Sequence, residues 1–211
     1  MAAAQKPPSR KAGKEMAGLT TGHLFIVSAP SGAGKSTLCN AVRRHLSDLA
    51  YSVSYTTRPP RTGEREGADY YFISEADFMR GISEGRWAEW AKVHGNYYGS
   101  SAQWIERTLS SGRDILMDID LQGARQMMHR FPLAVTIFIM PPSLEELEKR
   151  LRGRGTDSRQ TIDLRLHNAK EEIAQRGICR HVVLNDDIDK ATRVLIELIE
   201  GYRRGDPLPT R

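Results

Sequence analysis

One short stretch constrains the fold of this chain more than any other. The segment "SAPSGAGKST", residues 28–37, follows the apolar run "HLFIV" and precedes apolar residues at helical spacing. A glycine-rich turn between a buried strand and a helix is the context that a phosphate-binding loop requires. Successive backbone N–H groups and the positive end of the helix dipole attract phosphate oxygens there. The sequence therefore predicts a nucleotide site at this turn.

One position in the loop departs from the usual pattern. Ala29 stands where the first glycine of such loops is expected, and a methyl group is tolerated there if φ stays negative. Lys35 is expected to reach the β- and γ-phosphates, and the Ser36 hydroxyl to ligate Mg²⁺. The predicted contacts with the triphosphate nucleotide are Ala29, Pro30, Ser31, Gly32, Ala33, Gly34, Lys35, Ser36 and Thr37.

Strand and helix patterns alternate along most of the chain. Continuous apolar runs at residues 23–29, 113–120, 134–140 and 181–185 predict buried strands, and helical patterns follow the first, second and fourth of them. This alternation predicts an α/β phosphate-loop fold with three layers and a doubly wound parallel sheet.

Two segments depart from that alternation. Residues 53–100 contain several short strand patterns around one helix, which indicates a small mixed lobe inserted into the core. Residues 144–176 are strongly charged with a sparse apolar stripe, which predicts a weakly anchored, mobile helical hairpin. The expected parts are a disordered basic tail at 1–20, a core at 21–52, 101–143 and 177–205, the lobe at 53–100, the hairpin as a lid at 144–176, and a flexible tail at 206–211.

Composition narrows the class of protein. The 211 residues are 39% apolar and 27% charged, which suits one globular domain. No apolar run approaches the roughly 20 residues that cross a bilayer. Cys39 and Cys179 lie far apart without metal-ligand spacing, so both are expected to be buried thiols in a reducing cytoplasm. The net charge of +5 comes with two arginine clusters, "TTRPPRTGER" and "KRLRGRGTDSR", which suit either phosphate ligands or a solvated surface.

Seven blocks, in this order, resemble the guanylate kinases. They are "SAPSGAGKST", "SVSYTTRPPRTGE", "GADYYF", "EWAKVHGNYYG", "DIDLQG", "PPSLEELEKRLRGRGTDS" and "NDD", which together span about residues 22–204. The resemblance implies transfer of a phosphoryl group from ATP to GMP or dGMP with Mg²⁺ as cofactor, and thus a place in purine nucleotide metabolism.

The resemblance also implies a set of acceptor contacts. Glu89 would accept hydrogen bonds from the guanine N1–H and 2-amino groups, and Ser100 would contact the O6 or N7 edge. The residues implied to bind the GMP phosphate are Ser54, Arg58, Arg61, Tyr70 and Tyr98. Adenine presents no matching pair of donors, so a buried Glu89 would be left poorly satisfied by AMP.

Further residues are implied for the metal, the donor and the chemistry. Asp118 and Asp120 end a predicted strand, at the edge where open α/β sheets bind ligands. Asp118 is implied to orient GMP, and both carboxylates to hold Mg²⁺ through water. Asn185 would lie beside the donor adenine. The implied catalytic residues are Lys35, Arg58, Arg150, Arg154 and Arg165, because phosphoryl transfer depends on positioning and charge neutralisation.

Each assignment has a structural alternative. Glu89 could be solvated, Tyr70 and Tyr98 could be packing aromatics, and the two aspartates could cap the loop after their strand. The lid arginines could form exposed helix pairs with neighbouring glutamates, the role expected for Arg152. The residues expected to pack in the core are Trp87, Trp90 and Trp104.

Other functions stay open on the same sequence. A binding module of the same fold without activity is one, but it would not need the intact loop with Lys35. Another small-molecule kinase or a nucleic-acid-linked NTPase is the second. The expected partners are ATP and GMP or dGMP, with no specific nucleic acid and no membrane; a homo-oligomer stays open.

Overall fold

The computed structural model describes residues 21–93, 95–153 and 158–206. Within these ranges the strands are β1 (Leu24–Ser28), β2 (Ala50–Tyr51), β3 (Tyr55–Thr56), β4 (Tyr71–Phe72), β5 (Trp87–Val93), β6 (Asn96–Ser101), β7 (Ile115–Asp118), β8 (Val135–Met140) and β9 (His181–Leu184). The helices are α1 (Lys35–His45), α2 (Glu75–Ser83), α3 (Ala102–Ser110), α4 (Leu121–Arg130), α5 (Leu144–Gly153), α6 (Arg159–Ala174) and α7 (Ile188–Arg204), with a 3₁₀ turn at Arg176–Ile178. The predicted tail at 1–20, residues 207–211 of the predicted tail at 206–211, and Arg154 lie outside the described residues.

Five parallel strands form the main sheet, in the order β2-β7-β1-β8-β9. The central strand β1 is buried on both faces, as a continuous apolar run predicts. Alternate side chains of β1 enter different hydrophobic clusters: Phe25 and Val27 join residues of α1 and α7, whereas Leu24 and Ile26 join residues of α3 and α4. Helices therefore cover both faces of the sheet, and the predicted three-layer, doubly wound α/β fold is confirmed.

A second, mixed sheet has the order β4-β3-β6-β5. Strand β3 pairs in parallel with β4 and antiparallel with β6, which in turn pairs antiparallel with β5. Phe78 of α2 is fully buried beneath this sheet, where its ring stacks on Trp87 at 4.6 Å and on Tyr97 at 5.3 Å. The small sheet thus has its own aromatic core. The boundaries of the lobes stay a prediction, which this arrangement supports.

The tryptophans do not all behave as expected. Trp87 is buried, and its indole N–H donates to the Phe78 carbonyl at 3.1 Å. Trp90 and Trp104 are 37% and 38% exposed, so the expectation that they fill a core is wrong. Trp90 alternates with buried neighbours on the edge strand β5, which turns its side chain to the outer face of the small sheet.

The charged segment after β8 forms two packed helices, α5 and α6, as the sparse apolar stripe predicts. Leu147 and Leu151 of α5 meet Ile162 and Ala169 of α6 in a small hydrophobic cluster. The same leucines lie against the phosphate loop, since a Cβ placed on Gly32 would be 2.8 Å from Leu151 Cδ2. The hairpin therefore rests on the loop through apolar contacts.

Both cysteines are buried, as expected. No helix among residues 21–93, 95–153 and 158–206 is long and apolar enough to span a membrane.

Candidate active site

The loop between β1 and α1 has the backbone that close approach to phosphate requires. Gly32 and Gly34 have φ values of +93° and +90°, which side chains disfavour, and Gly34 is the N-cap of α1. The first turn of α1 therefore points its N–H groups into this loop. Ala29 is buried within the core cluster on one face of the sheet, so its methyl group packs there and leaves the loop open.

Asn185 supports the loop from behind. Its side-chain amide is buried and donates a hydrogen bond of 2.7 Å to the Ala33 carbonyl. A Cβ at Gly34 would lie 2.6 Å from the same amide nitrogen, so glycine is needed for this approach. The backbone carbonyl of Asn185 in turn accepts a hydrogen bond from the Arg150 guanidinium at 3.2 Å. The structure thus engages Asn185 with the loop backbone, and its contact with an adenine stays a prediction.

Asp118 joins the loop to the neighbouring strand β7. Its carboxylate accepts a hydrogen bond from the Ser36 hydroxyl at 3.1 Å and lies 3.5 Å from the Lys35 ammonium. Lys35 also donates to the Ile119 carbonyl at 2.9 Å. Parallel pairing of Val27 with Asp118 brings the ends of both strands to one edge of the sheet, which explains the encounter.

Asp120 has the capping role that was the alternative for this position. It is the N-cap of α4, and its carboxylate accepts a hydrogen bond of 2.7 Å from the Gly123 amide. It nevertheless lines two clefts at this edge of the sheet. Of the two predicted metal carboxylates, Asp120 therefore already caps a helix, whereas Asp118 accepts a hydrogen bond from Ser36.

Two clefts open at this edge of the sheet. We call the first the inner cleft; it is lined by Lys35, Ser54, Tyr70, Glu89, Ala91, Val93, Tyr98, Asp118, Ile119 and Asp120. The second, the outer cleft, is lined by residues 29–32 and 34–37 of the loop and by Arg61, Tyr70, Lys92, Val93, Asp120, Arg165, Asn168 and Glu172. Four residues belong to both clefts, namely Lys35, Tyr70, Val93 and Asp120. The two clefts therefore meet at the loop lysine.

Glu89 is a buried acid at the base of the inner cleft. Glu89 is only 4% exposed, and the Ser100 hydroxyl donates a hydrogen bond of 2.7 Å to Glu89 Oε1. Burial raises the pKa of Glu89 to about 7, against the lowering effect of the Ser100 hydroxyl, and nearby Asp120 adds to the rise. The solvated alternative for Glu89 is wrong, because this carboxyl group is enclosed.

The two arginines of "RPPR" take different positions. The Arg58 guanidinium donates to Glu64 at 2.8 Å and to the Pro59 carbonyl at 2.7 Å, and its carbon lies 5.4 Å from the centre of the Tyr70 ring. The hydrogen bond to Glu64 is the main reason that the pKa of Arg58 is raised. Arg61 instead lines the outer cleft. In this structure the two side chains therefore do not converge on one point.

The lid contributes one face of α6 to the outer cleft. Arg165, Asn168 and Glu172 follow one another at intervals of three and four residues, so they share a helix face. Burial raises the pKa of the Glu172 carboxyl, partly offset by a hydrogen bond from the Ser31 amide. The lid helix thus places a cation, an amide and an acid next to the phosphate loop.

Two other lid arginines form pairs along α5. Arg152 contacts Glu148 at 2.6 Å, which is the exposed helix pair expected for it. Arg150 lies 3.6 Å from Glu146 as well as near Asn185. Arg154 falls outside the described residues.

Comparison with known proteins gives one consistent result. A family model described as guanylate kinase matches residues 21–202. The chain is 48% identical to the guanylate kinase of Aromatoleum aromaticum over 86% of this chain and 89% of that one. It is also 48% identical to the guanylate kinase of Shewanella violacea, over 88% of this chain and 90% of the relative.

This chain belongs to the guanylate kinase family. The crystal structure of guanylate kinase from Anaplasma phagocytophilum is similar to it as well, with a TM-score of 0.73 at 35% identity over 87% of each chain. The family resemblance predicted from the seven sequence blocks is therefore confirmed.

Sequence reasoning missed several residues of this guanylate kinase site. Lys92 lies in the outer cleft, but the alternation of side chains along its strand does not by itself predict that it belongs to the site. Asn168 and Glu172 could have been found by their spacing from Arg165 on one helix face. Ala91 and Val93 supply apolar walls of the inner cleft, where they alternate with Lys92 along β5.

Proposed function

We propose that the protein transfers the γ-phosphoryl group of ATP to GMP, and to dGMP, giving ADP and GDP or dGDP. The observation that carries this proposal is that Lys35 lines both the inner and the outer cleft. A triphosphate on the loop and a monophosphate in the inner cleft would meet at one ammonium group. Family membership supports the same reaction.

Base recognition is assigned to the part of the inner cleft that contains Glu89, next to Ser100. Ionised Glu89 offers two acceptor oxygens, which match the N1–H and 2-amino donors of guanine. The Ser100 hydroxyl already contacts one of these oxygens and can turn to an acceptor on the O6 or N7 edge. Adenine carries an acceptor at N1, which would leave a buried carboxylate facing a lone pair.

The GMP phosphate is assigned to the mouth of the same cleft. Ser54, Tyr70 and Tyr98 line it with hydroxyl groups. Arg58 packs over the Tyr70 ring, and Arg61 reaches the outer cleft beside the loop. Binding of phosphate would draw both guanidinium groups toward the junction of the clefts, since bidentate arginine–phosphate contacts are strong. Glu64 would then exchange its hydrogen bond with Arg58 for solvent.

The reaction needs no covalent intermediate with the enzyme. A GMP phosphate oxygen attacks the γ-phosphorus of ATP as the bond to the β–γ bridging oxygen breaks, so ADP leaves with that oxygen. Lys35 and Arg165 would supply positive charge beside the transferred group, and Lys92 and Arg61, which line the same outer cleft, would add to it. Arg58, Arg150 and Arg154 are proposed to join them on closure.

The residues present fit a magnesium ion. The Ser36 hydroxyl and the Asp118 carboxylate lie 3.1 Å apart and offer the hard oxygen ligands that Mg²⁺ prefers, with phosphates and water completing the set. Asp120 is proposed to act through water, because it already caps α4. The bound ion would neutralise charge on the phosphate oxygens.

The lid is proposed to exclude water when it closes over ATP. Its α5 leucines already pack on Gly32, and its α6 side chains line the outer cleft, so the hairpin covers the donor side of the site. We also propose that residues 53–100 move as a GMP-binding lobe against the core. The buried cysteines support action in a reducing cytoplasm.

The alternatives are less well supported. A binding module without activity has no need for a loop with positive φ at Gly32 and Gly34 or for a lysine that lines two clefts. A coupled assay of ADP release with GMP, AMP, UMP and RNA offered separately tests the proposal. We expect release with GMP only; equal release with AMP, UMP or RNA would contradict it.

A further inference from the structure

One face of α4 runs along the edge strand of the small sheet. Gly123, Gln126 and Arg130 occupy positions i, i+3 and i+7 of this helix, so they lie on one side of it. All three approach β5, the strand that carries Glu89. Helix α4 follows its N-cap Asp120, so this face connects β5 to the edge of the main sheet where the clefts meet.

Gln126 takes the place of a missing strand neighbour. Strand β5 is at the edge of its sheet, and its pairing with β6 shifts register between Trp87 and Glu89. The Gln126 side chain accepts a hydrogen bond from the Trp90 N–H at 3.1 Å and donates one to the Trp90 carbonyl at 2.8 Å. A primary amide thus satisfies both backbone groups of the residue that follows Glu89, as a paired strand would do.

Arg130 secures the other side of the bulge. Its guanidinium approaches the Trp87 carbonyl at 3.5 Å and is itself held by Glu106 at 2.7 Å. The bulged segment on both sides of Glu89 is therefore attached to α4, while the small sheet holds it through β6 alone.

Gly123 leaves space for the carboxylate itself. A Cβ at this position would lie 2.6 Å from Glu89 Oε2 and 3.3 Å from the carboxyl carbon. Glu89 Oε1 meets Ser100 on the opposite side. One oxygen is thus set by the small sheet and the other by the surface of α4.

We propose that Gln126 and Gly123 are positioning residues for guanine recognition, which fix the Glu89 carboxylate relative to the core. Gln126 fixes the backbone that carries Glu89, and Gly123 fixes how far its outer oxygen extends. This inference rests on the proposed function, because it assumes that Glu89 reads guanine. Helix α4, which starts just after Asp118, would thereby hold the guanine-binding carboxylate at a fixed distance from Asp118 and from the reacting phosphates.

The test compares GMP with IMP, which keeps the N1–H but lacks the 2-amino group. Gln126→Met keeps the length of the side chain and removes both hydrogen bonds to Trp90. We expect KM for GMP to rise by roughly 10- to 100-fold and the preference for GMP over IMP to fall, because displacements of about 1 Å cost that much. KM for ATP should stay unchanged. His129→Ala, an exposed change on the same helix, is the control and should leave all three values unchanged.

A purely structural role gives a different result. If Gln126→Met lowers the melting temperature but keeps the parent KM for GMP and the parent GMP-to-IMP ratio, the proposal is overturned. Gly123→Ala is a second variant for the case that Gln126→Met does not fold, since alanine favours a helix more than glycine does. A folded Gly123→Ala protein with parental GMP selectivity would also overturn the proposal. A parent protein that fails to phosphorylate GMP would instead refute the proposed function, so the two failures are distinguishable.

Discussion

The Lys35 ammonium lies 3.5 Å from the Asp118 carboxylate, across the boundary between two adjacent parallel strands. Lys35 follows β1 through the glycine loop, and Asp118 ends β7, the strand beside it. Their contact places the positive group that would meet the triphosphate beside the acid that would face the metal and the acceptor. Loss of either partner should therefore have a distinct kinetic signature.

Removing the loop lysine separates binding from chemistry. Lys35→Ala should lower kcat by about 10²-fold or more, since a preorganised charge at the transferred group is lost. Binding of GMP, measured by calorimetry, should stay close to that of the parent, because base recognition is assigned to Glu89 and Ser100. An active Lys35→Ala enzyme would refute the loop assignment.

Asp118→Asn tests the assigned metal position. The amide keeps the shape of the side chain and a hydrogen bond to Ser36 but lacks the charge that a hard cation prefers. We expect a higher Mg²⁺ concentration for half-maximal turnover, by roughly tenfold or more, as charge-assisted contacts are worth about 1.5–3 kcal/mol. An unchanged Mg²⁺ titration curve would remove Asp118 from the metal site.

Glu89→Gln tests base reading. Glutamine keeps the volume but turns one acceptor into a donor, which faces the guanine donors unfavourably. The preference for GMP over AMP in kcat/KM should fall by about 10- to 100-fold, in line with the loss of a hydrogen bond to a charged group. Trp104→Phe, at an exposed position on α3, is a control that should keep the parental preference. Unchanged discrimination by Glu89→Gln would exclude this carboxyl group from recognition.

Burial of Glu89 also predicts a pH effect on stability. Its pKa is raised from the usual 4.5 to about 7 in the folded protein, chiefly by burial. The folded state then binds the proton more tightly than the unfolded chain, so stability from this group falls as pH rises from 4.5 to 7. The free energy of unfolding of Glu89→Gln, relative to the parent, should therefore increase by on the order of 3 kcal/mol over that range, at 1.36 kcal/mol per pKa unit.

Denaturant unfolding at pH 4.5, 6 and 8 measures that difference. Parallel pH curves for the parent and Glu89→Gln would show that Glu89 keeps a normal pKa in the folded state.

The sequence predicts the core of this fold well because its signals are local. Continuous apolar runs mark β1, β7, β8 and β9, and the glycine loop marks the start of α1. The position of Asp118 at a sheet edge is also predictable, since strand ends in parallel sheets lie together. These features depend on residues that are close in the chain.

Features that depend on tertiary contacts were less predictable. The engagement of Asn185 with the Ala33 carbonyl links residues that lie far apart in the chain, and no pattern in "NDD" reveals it. The exposure of Trp90 follows from an edge position that sequence order does not give. Capping by Asp120 is one of two roles that the sequence allows, because a carboxylate just before a helix can cap the helix or face a metal.

A bisubstrate analogue tests the central claim most directly. Adenosine and guanosine joined through their 5′ oxygens by five phosphates should span both clefts at Lys35. We expect it to compete with ATP and with GMP and to bind more tightly than either, because the second contact becomes intramolecular. Competition with one nucleotide only, at the affinity of that nucleotide alone, would contradict a shared site for phosphoryl transfer.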